Sequence, residues 1–132
     1  MKKLIILLTS IATVACATGY NPTYRFNEIQ VVNLSGSTIE DVGVRVIDSE
    51  KELSCDEVAK NAICDERFGV RRFPQQGIEL SWTHPDGSRK SEVLTPKIPV
   101  TLQPATPLRI VMEVNENGSV NPFFEQESRG PR

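Results

Sequence analysis

His84 is the chain's single histidine, and it lies close to Asp86 and Ser88, with Ser81 just before it. These are the residue types of nucleophilic catalysis: a hydroxyl to attack, an imidazole to take its proton and a carboxylate to orient the imidazole. The local sequence argues otherwise. His84-Pro85-Asp86-Gly87 is turn chemistry, and nothing nearby supplies an oxyanion site, so His84 reads as a turn residue and the chain as a non-enzyme. Metal chemistry fares no better, because His84 and Asp86 are only two ligands. Asn115-Glu116-Asn117-Gly118 has the start of a calcium loop but lacks its distal glutamate and repeated carboxylates, so it reads as a hairpin turn. No metal and no cofactor is expected.

The cysteines carry more. Cys16 follows Met1-Lys2-Lys3, an apolar run from Leu4 to Val14, and Thr13-Val14-Ala15. A positive start, a short apolar stretch and a small residue before a cleavage point make an export signal. The run is too short and too diluted by Thr9, Ser10 and Thr13 to span a bilayer, which takes about 20 apolar residues. The segment resembles the lipobox of bacterial lipoproteins, with Thr13 standing where leucine is usual. That resemblance implies removal of residues 1–15 by a type II signal peptidase, with palmitate-class acyl chains on Cys16. Several chains, at about 0.8 kcal/mol per buried methylene, make attachment practically permanent. In enteric-type bacteria an aspartate after the cysteine retains such proteins in the inner membrane. Ala17 therefore points to the periplasmic face of the outer membrane.

Export places Cys55 and Cys64 in an oxidising compartment, where a disulfide between them is the default. Zinc prefers closer-spaced pairs. Without Lys2 and Lys3 the chain holds 13 basic and 17 acidic residues, a net charge of −4 that disfavours nucleic acid as a partner. Arg67, Arg71 and Arg72 are a local exception, suited to anionic headgroups, lipopolysaccharide phosphates or a carboxylate-rich partner, although arginines flanking a strand more often form only a solvated face. Phe123 and Phe124 are adjacent, so a regular strand turns only one of them inward and leaves the other to be covered by the tail or to meet a partner.

What positions these residues is a series of short strands. Residues 16–23 form a lipidated tether, 24–126 one domain with its own core, and 127–132 a frayed tail. Ile29 and Val31 share a face within Tyr24–Asn33, and Val42, Val44 and Val46 alternate within Thr38–Asp48. Val70–Phe73 is a weaker strand. Ile78, Leu80 and Trp82 alternate and lead through Pro85-Asp86-Gly87 into a strand over Arg89–Thr95, with Trp82 in the core. Ile98, Val100 and Leu102 suggest an edge strand among Pro96, Pro99 and Pro104. Leu108, Ile110, Met112 and Val114 form the strongest strand, returned by a two-residue Asn117-Gly118 turn. Ser54-x-x-Glu57 is a capping box and predicts a short helix from Asp56 to Lys60, ended near Asn61 so that Cys64 folds back to Cys55.

Eight or so strands joined by hairpins predict an all-β, antiparallel sandwich of immunoglobulin-like or transthyretin-like type. The Trp82 strand and its hairpin loosely resemble those of small immunoglobulin-like periplasmic lipoproteins. The expected function is that of a membrane-anchored accessory or adaptor binding another envelope protein, and the alternative is an inhibitor of a cell-wall hydrolase or other periplasmic enzyme.

Overall fold

The computed structural model describes residues 24–47, 52–72, 77–103 and 105–126. The expected signal peptide, Cys16, the expected tether and the tail after Gln126 lie outside the described residues. Within them the chain forms β1 (Arg25–Leu34), β2 (Ile39–Val46), β3 (Glu52–Val58), β4 (Ile63–Arg72), β5 (Ile78–Thr83), β6 (Arg89–Leu94), β7 (Leu108–Asn115) and β8 (Val120–Gln126). Two four-stranded sheets result, one ordered β4-β1-β7-β8 and the other β3-β2-β5-β6. Every neighbouring pair is antiparallel except β1 and β7, which run parallel, so the expectation of a purely antiparallel sandwich is corrected.

Alternation explains why these segments are strands. Phe26, Ile29, Val31, Leu108, Ile110, Met112, Val114 and Phe124 face inward from the first sheet, and Ile39, Val42, Val44, Val46, Ile78, Leu80 and Trp82 from the second. Each large side chain removed from water here contributes about 1.5–3 kcal/mol. The alternation slips once in β1 and once in β2. In β1 the register shifts between Phe26 and Glu28. In β2 it shifts between Glu40 and Gly43, where Asp41 takes φ 46°. An extra residue restarts the pattern, so Phe26 and Ile29, three apart, both point into the core, as do Ile39 and Val42.

The chain directions fix the ends. β1, β3, β5 and β7 run upward and the other four return, so the β1–β2, β3–β4, β5–β6 and β7–β8 turns all lie at one end, here the upper. Tyr24 and Gln126 lie at the lower end, which is where residues 16–23 join the domain.

Three expectations are corrected. No helix forms at Asp56–Lys60: β3 runs to Val58, and a turn over 59–62 follows, closed by Ala62 N–H donating to Ala59 O at 2.9 Å. Leu53 and Cys55, two apart, lie toward the core, and the ladder to β2 supplies the backbone bonds that so short a helix could not sustain. Asn61, expected to end that helix, instead adopts φ 62° within the turn. The Ile98–Leu102 strand is absent, since Pro96, Pro99 and Pro104 remove ladder donors. Ile98 and Leu102 still pack on the core, while Val100 is 95% exposed. The β7–β8 turn has three residues rather than two: Gly118 N–H donates to Asn115 O and Asn115 N–H to Ser119 O, with Gly118 at φ 80°.

Cys55 and Cys64 form the expected disulfide, their Cα atoms 6.4 Å apart. It joins β3 to β4, the edge strands of different sheets, and so closes one side of the sandwich near its upper end. By the chain-entropy relation, replacing both cysteines with serine lowers unfolding stability by about 2.6 kcal/mol. Denaturant melts of the two forms check this, and a difference below half that value would show the sheets held without it.

Candidate functional site

The upper end is tied together from inside. Trp82 Nε1–H donates to His84 Nδ1 at 3.1 Å, which leaves Nε2 as the protonated nitrogen, and it donates to Glu116 O at 2.9 Å. His84 thereby joins the β5–β6 hairpin of one sheet to the β7–β8 hairpin of the other. The two hairpins are built alike. Gly87 N–H donates to His84 O and His84 N–H to Ser88 O, with Gly87 at φ 85°, matching the bonds around Asn115, Gly118 and Ser119.

This arrangement does not assemble a Ser-His-Asp centre. Ser88 donates its hydroxyl and its backbone N–H to Asp86 Oδ1, and these bonds hold the Asp86 carboxyl below its ordinary value. Ser81 lies near Gly43 and Arg89 on the outer face of its sheet. Both ring nitrogens of His84 are already engaged by Trp82 and Glu116. The resembling calcium loop is closed in the same way, with Asn117 Oδ1 accepting from Ser119 N–H and Oγ–H.

Asn33, which the sequence reading passed over, is the second tie. It is fully buried and serves four partners. Its Nδ2 donates to Ser37 O at 2.7 Å and to Val58 O at 2.8 Å, while its Oδ1 accepts from Ser35 N–H and the Ser35 hydroxyl. Its backbone N–H reaches Ala62 O and its carbonyl accepts from Asn61 N–H. One side chain thus connects β1, the β1–β2 turn and the end of β3, and the same residue's backbone grips the disulfide-stapled turn.

The outer face of the β4-β1-β7-β8 sheet carries a row of alternating charge. Arg67, Glu28, Arg109 and Glu125 are register partners on four successive strands. Glu28 is only 3% exposed, and its Oε2 lies 2.7 Å from Arg109 Nε and its Oε1 3.4 Å from Arg67 Nε. Burial pushes the Glu28 carboxyl up, but the hydrogen bond and charge of Arg109, with Gln30 and Arg67, outweigh it and hold the group below its usual value. Arg109 is raised in turn, chiefly by its bond to Glu28, and it also pairs with Glu125 at 3.2 Å.

Of the residues singled out in the sequence, Arg67 belongs to this row and Phe123 lies on the same face at the far edge, opposite Val111. Phe124 points the other way into the core at 8% exposure, so of the two aromatics the outward one is Phe123. Arg71 and Arg72 lie apart from Arg67 at the lower end of β4, joined there by Arg25 of β1. Cys55 and Cys64 belong to the upper end. There Leu34 and Ile63 are 38% and 53% exposed and, with half-buried Val32, which pairs with Ile63, form an apolar corner beside the stapled turn.

Among the described residues no group of three or more His, Cys, Asp or Glu side chains is placed to hold a metal ion, and no helix is long and apolar enough to cross a membrane. No protein-family model and no curated protein matches the chain. A solved structure, an NMR structure of a protein from Eubacterium rectale, is similar over 83% of this chain and 95% of its own, at 16% identity and a TM-score of 0.48.

Proposed function

We propose that the chain is a non-catalytic, lipid-anchored protein of the bacterial cell envelope that binds another envelope protein through its distal end. Cys16 carries the anchor, on the periplasmic face of the outer membrane, and the sandwich is of the immunoglobulin-like or transthyretin-like kind. The observation that carries the binding reading is the apolar corner of Leu34 and Ile63, set on the end of the domain opposite its junction with the tether. Contiguous exposed apolar surface marks protein contacts, whereas apolar side chains exposed singly do not. Here the disulfide and Asn33 hold them in place, so little order must be imposed when a partner binds. The engagement of both His84 nitrogens in packing supports the non-catalytic part of the reading.

The test is in-cell photocrosslinking with the reactive side chain at Lys60, in the stapled turn, and with a second probe at Ser91 on the opposite sheet. A recurrent protein captured from Lys60, absent from Ser91 and lost on Ile63→Asp, is the expected result. If that protein is a cell-wall hydrolase whose activity falls on binding, the inhibitor reading takes the adaptor's place. Equal capture from both positions, or hydrolytic turnover abolished by His84→Ala, would sink the proposal.

A further inference from the structure

Arg25 and Arg72 are direct register partners across the β1–β4 pair, and Arg71 opposes Phe26 one position away. Like charges set opposite one another on a sheet repel. Among the described residues no carboxylate lies within ion-pair distance of Arg25 or Arg72 to relieve this. All three arginines are exposed. Together with Val70, itself 50% exposed, they line a concave surface of about 410 Å³. The Arg71 guanidinium lies 5.7 Å from the centre of the Phe68 ring, which packs edge-on against Phe26 at 5.0 Å, so an aromatic pair rooted in the core supports one member of the group.

The location matters as much as the charge. This rim is at the lower end, where β1 begins directly after the 16–23 segment. A segment of that length reaches at most about 28 Å, which keeps the rim within a few screening lengths of the bilayer. The protein as a whole is acidic, so an anionic membrane repels its average charge while Arg25, Arg71 and Arg72 present the opposite sign.

We infer that Arg25, Arg71 and Arg72 bind the phosphates of anionic phospholipid headgroups in the membrane that carries the anchor, and hold the domain with its lower end against the bilayer. The inference rests on the lipid-anchor reading for which surface this end meets. Guanidinium groups match phosphate oxygens in a two-pronged geometry, and Val70 lies at the level of the headgroups between them. The distal corner of Leu34 and Ile63 then points away from the membrane.

The lipidated protein, reconstituted into vesicles of phosphatidylcholine alone or of phosphatidylcholine with phosphatidylglycerol, is treated with phenylglyoxal. Modification at each arginine is then followed by mass spectrometry. In the anionic vesicles Arg25, Arg71 and Arg72 react about fivefold more slowly, the factor that one basic side chain at a charged membrane surface is worth, and high salt restores the rate. Arg89, on the other sheet, keeps its rate, and free glycerophosphate at equal phosphate concentration protects none of them. Equal rates in the two kinds of vesicle, equal slowing at Arg89, or equal protection by free glycerophosphate would each overturn the inference. The same digest reports the mass of the Cys16 peptide. An unacylated Cys16 refutes the anchor, and the arginine rates, measured on protein added to preformed vesicles, still decide the headgroup contact.

Discussion

Asn33→Ala lowers unfolding stability by about 3–4 kcal/mol, more than loss of the disulfide, although it removes only a small amide. The reason lies in what is left behind. Without the side chain, Val58 O and Ser35 N–H lose their buried partner, and only Ser37 O gains a replacement donor, the Ser35 hydroxyl 2.9 Å away, released from Asn33 Oδ1. Each orphaned buried group costs about 1–3 kcal/mol. A deficit of that size is a large share of the 5–15 kcal/mol or so typical of a whole domain. Asn33→Asp is the sharper probe because it keeps the shape and changes the chemistry. It turns a donor of two bonds into an acceptor facing the Ser37 and Val58 carbonyls. Its deficit exceeds that of alanine at pH 7 and narrows relative to wild type as the pH falls and the carboxyl regains a proton to donate. Urea melts followed by fluorescence of Trp82, the one tryptophan, check both variants. A cost below 1 kcal/mol for Asn33→Ala would show the upper turns held without it.

Asn33 also illustrates what the sequence made legible. Ile29, Val31 and Asn33 share one face of β1, so a polar residue at a core position was visible in the alternation itself. What was not visible was its partners, since Val58 and Ala62 come near only once β3 and β4 are placed. β5 was legible because it has one wet face and one dry face, and β7 because Leu108, Ile110, Met112 and Val114 alternate along its inner face, although Val111 is buried on the outer one. β4 was not, because it is an edge strand with Cys64 as its one fully buried residue, and an alternation with nothing to alternate carries no signal. The helix expected at Asp56–Lys60 followed a real capping box, but Val58 is the one buried residue in that stretch, and pairing with β2 overrode local propensity. Glu28 reads in the sequence as an ordinary outward residue, and its burial follows from β1 lying between β4 and β7. Arg25 was missed for the same reason, being more than forty residues from the two arginines that the register sets beside it.

Glu28→Ala costs about 2–3 kcal/mol, somewhat less than a fully buried ion pair, because Arg67 and Arg109 keep 64% and 21% of their side chains exposed and water screens what remains. The pH dependence identifies the cause. The folded protein holds the Glu28 carboxyl below the ordinary value near 4.5, so the pair contributes its full stability above that value. As the pH falls from there through the lower folded value, the carboxylate takes up a proton and the contribution disappears. Wild type therefore loses stability from about pH 4.5 downward, and Glu28→Gln, which cannot titrate, loses less over the same window. Melting curves at stepwise lower pH distinguish the two, and parallel acid slopes would remove Glu28 as the source. The effect extends beyond β1. Arg67 and Arg109 would face each other across an uncharged Glu28, with Glu125 left as the row's one carboxylate at its far edge. The row on that face would then carry a net positive charge, adding to that of the arginines at its foot. On the headgroup inference, acid should therefore tilt more of this face toward an anionic bilayer, and Glu28→Gln should do the same at neutral pH.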